Sequence, residues 1–208
     1  MNRRALPWAV LLALFLPSCA FTAKEGTSDS WREYTASDGS YSVAYPENFE
    51  PVEYTGADID PEGKLFSEDD LAGVVFGNGR PSAVAGVTIG LFGGGWEGTE
   101  LRLGVTRLSG DIPDIDAFAD LVRESNRIHV GYKELHFQDT SIRGLPGYDY
   151  SYQTSGTTRE GNEVDQAVRM VFLQHEGDLY TVSGGAVLGT FEKEADIIDR
   201  FITSFRLL

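Results

Sequence analysis

Cysteine is almost absent from this sequence, and its scarcity excludes several kinds of site. Cys19 is the only cysteine among 208 residues, so the chain cannot form an internal disulfide or a thiolate metal cluster. The spacings of the three histidines, His129, His136 and His175, match no zinc motif. There is also no Gly-x-Ser-x-Gly nucleophile motif. We therefore expect no cofactor, and the sequence does not indicate an enzyme.

Positive charge is scarce as well. The chain has 17 Lys and Arg residues against 32 Asp and Glu residues, which gives a formal net charge of −15. Such an acidic surface repels nucleic acid and anionic lipid headgroups. We expect no nucleic-acid partner and no basic patch that would bind a membrane.

The N-terminal apolar run is too short to span a membrane, because a spanning helix needs roughly 20 apolar residues. This run, residues 5–16, follows Arg3 and Arg4 and precedes Ser18 and Cys19, after which the composition turns polar. Positive residues, a short apolar segment and a small residue before a cleavage point are typical of an export signal.

The residues Leu16-Pro17-Ser18-Cys19 resemble a bacterial lipoprotein box. The resemblance implies a signal peptide at 1–18 and acyl chains such as palmitate on Cys19. Ala20 stands where an Asp tends to retain Gram-negative lipoproteins at the inner membrane. We therefore predict an exported protein, anchored by lipid to a bacterial cell membrane, and to the outer membrane in a Gram-negative cell. The alternative is a plain signal peptide that is cut elsewhere.

The rest of the chain divides into a tether and one domain. Residues 19–30 are small and polar without periodicity, which is typical of a flexible tether. Residues 31–208 contain about seven predicted strands and two predicted helices, at 114–130 and 191–205. Because the strands follow one another through short turns, we predict an α+β fold, an antiparallel sheet flanked by helices.

Three strand predictions can be compared directly with the structure. Residues 40–46 end in proline, which indicates an edge or first strand. Residues 133–142 alternate, with Leu135 and Phe137 on one face. Tyr148, Tyr150 and Tyr152 alternate with polar residues, which predicts a half-buried strand whose tyrosines form core or cover a helix.

Several of these segments together resemble the Mog1/PsbP-like superfamily. They are a first strand that ends in Tyr45-Pro46, a Gly-Leu-Pro-Gly turn at 144–147, a strand at 178–184 and a closing helix that ends at 202–205. The superfamily includes bacterial lipoproteins of the DcrB kind and cyanobacterial PsbP-like lipoproteins. The resemblance implies an α-β-α sandwich and mostly noncatalytic accessory or binding roles. It assigns no functional residue.

An acidic segment has the opening spacing of a calcium loop. Asp58, Asp60 and Glu62 alternate, and Asp69 falls at the twelfth position. The alternative is a solvated acidic loop, which Pro61 favours because it stiffens the chain. A calcium-dependent binding module is therefore one alternative function.

Two further candidates come from the hairpin and the last strands. Trp96 follows Gly93-Gly94-Gly95 at a predicted hairpin tip, so we predict a partner contact there, although the ring could fold back onto the sheet. A triad of Ser183, His175 and Asp178 would indicate a cell-envelope hydrolase, but 183–185 is more simply a strand that runs into a turn. Our leading prediction is a noncatalytic accessory or binding domain that acts on an envelope protein or component.

Overall fold

Among the residues that it describes, a computed structural model of the chain contains two antiparallel sheets, of three and seven strands. It describes residues 30–59, 70–77, 101–110, 112, 114–157 and 163–208. In chain order the elements are β1 (Trp31–Thr35), β2 (Tyr41–Pro46), β3 (Glu50–Thr55), α1 (Gly56–Ile59), β4 (Leu71–Gly77), β5 (Arg102–Leu108), α2 (Ile115–Asn126), β6 (Lys133–Ile142), β7 (Leu145–Thr157), β8 (Glu163–His175), β9 (Asp178–Val187), α3 (Leu188–Lys193), α4 (Ala195–Ser204) and β10 (Arg206–Leu207).

The seven-stranded sheet lies between two covering layers. Its strand order is β3-β4-β5-β9-β8-β7-β6, and successive side chains along each strand point to opposite faces. One face packs on α4 and the small sheet through Val105, Val171, Val182, Ile198, Phe201 and Phe205. The other face packs on α2 through Tyr150, Tyr152, Phe172, Phe118 and Val122. The predicted α+β fold with helices on both faces of an antiparallel sheet is confirmed, as is the prediction that the tyrosines of β7 form core under a helix.

The first predicted helix begins where the sequence predicts it and ends earlier than predicted. Asp114 is the N-cap of α2, and its Oδ1 accepts a hydrogen bond from the Ala117 amide at 2.9 Å. The helix ends at Asn126 rather than near 130, because the chain turns and Gly131 adopts a φ of +68°. The second predicted helix is interrupted at Glu194, which separates α3 from α4.

The strand predicted at 40–46 is present as β2, but its predicted position was wrong. β2 is the middle strand of the small sheet and pairs with both β1 and β10. Pro46 is tolerated because it is the last residue of β2 and lies opposite Trp31, the first residue of β1. The hairpin predicted around Gly93–Trp96 lies outside the described residues.

The large sheet has two distinguishable ends. Its register places Glu50 of β3 and Glu134 of β6 in one row, through the pairs Glu50–Gly77, Gly77–Arg102, Arg102–Gly185, Gly185–Val168, Val168–Tyr152 and Tyr152–Glu134. We call the end of the sheet with this row the upper end.

The chain enters the domain at the upper end. The Ser30 carbonyl accepts a hydrogen bond at 2.9 Å from the amide of Glu47, three residues before β3 begins at Glu50. The turn after β1 lies at the opposite end, where Asp38 pairs with Arg107 at 2.5 Å. No helix in the described part of the chain is long and apolar enough to cross a membrane.

Candidate functional site at the edge strand β6

The strand β6 forms one edge of the large sheet and contains a β-bulge. Among the described residues it pairs with β7 alone, and the register shifts between Glu134 and His136. Leu135 is the extra residue of the bulge and is 43% exposed. A bulge turns a side chain away from the face that simple alternation would give it. The predicted simple alternation of residues 133–142 was therefore wrong, because Glu134 and Phe137 both face Arg123 of α2.

The residue before the bulge is held against α2 by a forked ion pair. Arg123 donates from Nε to Oε2 of Glu134 at 3.0 Å and from Nη2 to Oε1 at 3.1 Å. The guanidinium also lies 3.8 Å above the ring centroid of Phe137. A bidentate pair with an additional ring contact gives the strand a defined geometry. The beginning of β6 is thus locked to the helix.

A chain of hydrogen bonds continues from this ion pair into the core. The Tyr132 hydroxyl donates to Glu134 Oε2 at 3.2 Å and lies 3.1 Å from the Tyr150 hydroxyl. The side-chain amide nitrogen of Asn126 lies 3.5 Å from the same Tyr150 hydroxyl. Asn126 and Tyr150 are both fully buried. We call the set Arg123, Glu134, Tyr132, Tyr150 and Asn126 the β6 network.

Within the β6 network the pKa values of Glu134 and Tyr150 are shifted in opposite directions. The hydrogen bonds from Arg123 lower the pKa of the Glu134 carboxyl, and burial raises the pKa of the Tyr150 phenol. Glu134 is therefore ionised and Tyr150 protonated at neutral pH. Because the folded pKa of Glu134 is lowered, its stabilising contribution is complete above the ordinary Glu pKa and is lost as pH falls through the folded value.

One buried polar atom within the β6 network and one next to it have no hydrogen-bond partner among the described residues. They are Oδ1 of Asn126 and the hydroxyl of Tyr152. Each buried polar atom without a partner costs about 1–3 kcal/mol. Stability alone does not account for so polar an interior beside an edge strand. The buried polar network, the two atoms without partners and the bulged edge strand together mark the β6 edge as a candidate site.

The segment that joins α2 to β6, residues 127–132, is packed tightly although its apolar side chains are exposed. We call it the α2–β6 loop. The Val130 carbonyl accepts a hydrogen bond from the Ser155 amide at 2.8 Å. A Cβ atom on Gly131 would lie 2.1 Å from Ser155 Oγ. Even so, Ile128 is 58% exposed and Val130 is 78% exposed. The backbone of the loop is fixed while these two side chains face solvent.

We expect Gly131→Ala to destabilise the domain more than Gly39→Ala. Both glycines have a positive φ, +68° and +72°, so both substitutions carry a backbone cost of about 1–3 kcal/mol. Only Gly131 also meets Ser155, whereas a Cβ on Gly39 would have no atom within 4 Å. Urea unfolding midpoints of the two variants measure the difference. Equal midpoints would show that the loop is not packed as described.

The residues predicted as sites fall mostly elsewhere. Cys19, Trp96, Asp60, Glu62 and Asp69 lie outside the described residues, and their predicted roles remain predictions.

Asp58 is the one member of the predicted calcium loop within the described residues. It belongs to the start of α1, where its Oδ2 accepts from the Thr55 amide at 2.8 Å and from the Thr55 hydroxyl at 3.3 Å. A carboxylate that reaches back to the residue three positions earlier is half of a capping box. In the described part of the chain no group of three or more His, Cys, Asp or Glu residues could hold a metal.

The hydrolase triad named as an alternative does not form. His175 and Asp178 face each other where β8 meets β9, but Ser183 lies five residues further along β9 and opposite Met170. Five residues of strand span roughly 17 Å, which is far beyond hydrogen-bond reach. The predicted turn at 183–185 was also wrong, because β9 continues to Val187. Gly184 is needed there, since a Cβ atom would lie 2.9 Å from Ile198 of α4.

The β6 edge was missed at the sequence level. A weak signal was present, because Ile128 and Val130 are apolar and continue past the end of the helix, beside a glycine. The bulge at Leu135 left no local signal, since the sequence alternates through it.

Comparison with known proteins establishes the fold. No protein-family model matches the chain, and no curated protein matches it. Cyanobacterial PsbP (CyanoP) from Synechocystis sp. PCC 6803 is 15% identical with a TM-score of 0.50, over 93% of this chain and 99% of that one.

Two further solved structures are similar at slightly lower scores. LpqN, involved in cell envelope biogenesis of Mycobacterium tuberculosis, is 10% identical with a TM-score of 0.48, over 86% and 90% of the two chains. The Saccharomyces cerevisiae Ran-binding protein Mog1p is 11% identical with a TM-score of 0.46, over 86% and 95%. The similarity to PsbP shows that the chain has a PsbP-like fold, as the resemblance predicted. Identities of this size show the fold alone, and function must be argued from the site.

Proposed function

We propose that this chain is a membrane-anchored bacterial lipoprotein with a noncatalytic accessory domain, which binds an envelope protein along the outer edge of β6. The observation that carries the proposal is the bulged residue Leu135, which is exposed on an edge strand whose beginning is locked to α2. A rigid apolar residue on an open edge is a contact anchor with little conformational entropy to lose.

The chemistry of a sheet edge indicates the form of the partner. Edge strands present unpaired backbone N–H and C=O groups, and proteins usually blunt them to avoid unwanted pairing. In β6 the bulge lies near the beginning of the strand, and seven residues from His136 to Ile142 continue in regular pairing with β7. An extended segment of another protein can add to such an edge, with backbone hydrogen bonds for affinity and Leu135 for specificity.

The anchor would keep the domain where this partner is found. The proposal assigns lipid to Cys19, and two or more acyl chains give stable membrane attachment at about 0.8 kcal/mol per buried CH₂. Attachment confines the domain to the membrane surface, so a modest affinity of the β6 edge is sufficient for occupancy. The lipid thus determines where the domain is located, and the edge strand recognises the partner.

The proposal predicts that Leu135→Ser weakens capture of an envelope protein. The experiment is cross-linking followed by affinity capture from native membranes, with wild type, Leu135→Ser and Leu121→Ser. Leu121 is a matched control because it is also exposed, at 37%, and lies roughly 200° around α2 from Arg123, away from β6. We expect one reproducible protein with wild type and Leu121→Ser, and loss of most of it with Leu135→Ser.

Trp96→Ala belongs in the same experiment, because Trp96 remains the contact that the sequence predicts. If Trp96→Ala removes the captured protein and Leu135→Ser leaves it, the hairpin is the contact and the β6 proposal is wrong.

A further inference from the structure

We propose that the α2–β6 loop rests on the bilayer that holds the lipid of Cys19, with Ile128 and Val130 inserted at the membrane interface. The proposal rests on the lipid anchor of the proposed function but not on its protein partner. It assigns the loop to the membrane and leaves the outer edge of β6 to the protein partner.

The first support is the exposure of the two side chains on a backbone that is held in place. Ile128 is 58% exposed and Val130 is 78% exposed, the largest exposures among the large hydrophobic residues that the structure describes, apart from Leu208. Their backbone is held by the Ser155 amide and by the tight fit of Gly131 against Ser155. A fixed loop that presents aliphatic side chains can enter the headgroup region without first becoming ordered.

The second support is local charge. Residues 121–136 contain three cations and two carboxylates, a net charge of +1 within a chain of net charge −15. Glu134 pairs with Arg123, and Glu124 pairs with Arg127. Lys133 is exposed and makes no ion pair with the described residues. An exposed lysine next to inserted aliphatic residues places its ammonium group at the level of lipid phosphates.

The overall acidity of the chain predicts no basic patch toward the membrane, and the loop is not such a patch. Arg123 pairs with Asp120 and Glu134, and Arg127 pairs with Glu124, so Lys133 is the cation available to lipid phosphates. An acidic domain still repels an anionic membrane as a whole, so the loop orients a domain that its lipid already holds there.

The third support is the position of the loop relative to the anchor. The loop lies at the upper end of the large sheet, where Lys133 begins β6, and Ser30 lies at the same end beside Glu47. The two edges of the sheet, β3 and β6, are six strand spacings apart, roughly 29 Å. The eleven residues from Cys19 to Ser30 can extend to at most about 40 Å. The lipid and the loop can therefore reach one bilayer at the same time.

The experiment uses the full lipidated chain in vesicles of phosphatidylcholine with some phosphatidylglycerol. Because Cys19 is the only cysteine and its sulfur carries the lipid, a new cysteine can be labelled alone. An environment-sensitive fluorophore is placed on Val130→Cys or on Ser141→Cys. Ser141 is exposed near the lower end of β6, about 27 Å along the strand from Lys133. Interfacial insertion reaches only about 5–10 Å into the bilayer.

We expect a blue shift of the emission at position 130 and loss of its intensity when brominated phosphatidylcholine is included. Position 141 should show neither change. Equal behaviour at the two positions would overturn the inference.

A second pair of variants separates this inference from the proposed function. Ile128→Ser combined with Val130→Ser should abolish lipid contact, read from a fluorophore on Lys133→Cys, and leave protein capture intact. If the double variant loses the captured protein instead, the loop belongs to the protein site and the inference is wrong. If lipid contact is present while Leu135→Ser has no effect on capture, the inference stands and the β6 proposal fails. An unmodified Cys19, detected by intact mass, would overturn both.

Discussion

Cys19→Ser is expected to move the protein from the membrane fraction to the soluble fraction. Lipid attachment needs a thiolate as the nucleophile, and a serine hydroxyl does not replace it. In the proposed lipoprotein, loss of two or three acyl chains removes about 0.8 kcal/mol of membrane affinity for every buried CH₂, which is far more than a single loop contact supplies. Fractionation of cells that express each form measures the effect.

Ser18→Ala is the matched control for this experiment. It keeps a small residue before Cys19, so processing and membrane attachment should continue. If the Cys19→Ser form remains with membranes after a high-salt and carbonate wash, the protein is held by something other than lipid on Cys19, and the proposed lipoprotein is wrong.

Arg169→Leu should destabilise the domain by about 3–5 kcal/mol, because it leaves a buried carboxylate without its counterion. Arg169 of β8 donates from Nη2 to Asp149 Oδ2 at 2.8 Å and from Nε to Oδ1 at 3.1 Å. The side chain of Asp149 on β7 is only 8% exposed. The guanidinium also pairs with Asp199 of α4, which ties this helix to the sheet.

Asp199→Ala provides the comparison for Arg169→Leu. Asp199 is 59% exposed, and surface ion pairs contribute about 1 kcal/mol or less. Combining Asp149→Leu with Arg169→Leu should recover much of the lost stability, since neither charge is then buried alone. Urea unfolding of the single and double variants gives the values. A loss for Arg169→Leu no larger than that for Asp199→Ala would contradict the description of a buried pair.

The elements that the sequence predicted well are those with strong local signals. α2 has an N-cap at Asp114 and an apolar stripe, and both features are local. The alternation of Tyr148, Tyr150 and Tyr152 correctly indicated which face of β7 is covered, because period-two burial follows from strand geometry. The hairpin between β8 and β9 also has a local signal, because Gly177 at its turn has a φ of +94°, which favours glycine.

The errors arose where distant parts of the chain decide the outcome. β2 was expected at an edge, but β10 pairs with it, and Arg206 donates to the Ser42 hydroxyl at 2.8 Å across 164 residues of sequence. The sequence did not predict β1 as a strand. Only two of its residues, Trp31 and Tyr34, are partly buried, so its sequence pattern resembles that of a loop.

The candidate site shows the same limit. Leu135 alternates correctly with its neighbours in sequence, and only the pairing with β7 reveals the bulge that exposes it. Gly131 suggests a turn, but the packing against Ser155 that makes the loop rigid involves a residue on another strand.

The measurement that most directly tests the central claim is site-specific photo-cross-linking in intact cells. A photoreactive side chain is placed at position 135 on β6 and, in a separate strain, at position 121 on α2. If β6 is the edge to which a partner adds, position 135 should yield one cross-linked envelope protein and position 121 none. The yield at position 135 should fall when Cys19 is also replaced by serine. No adduct at position 135 in cells that carry the anchored, folded protein would contradict the account.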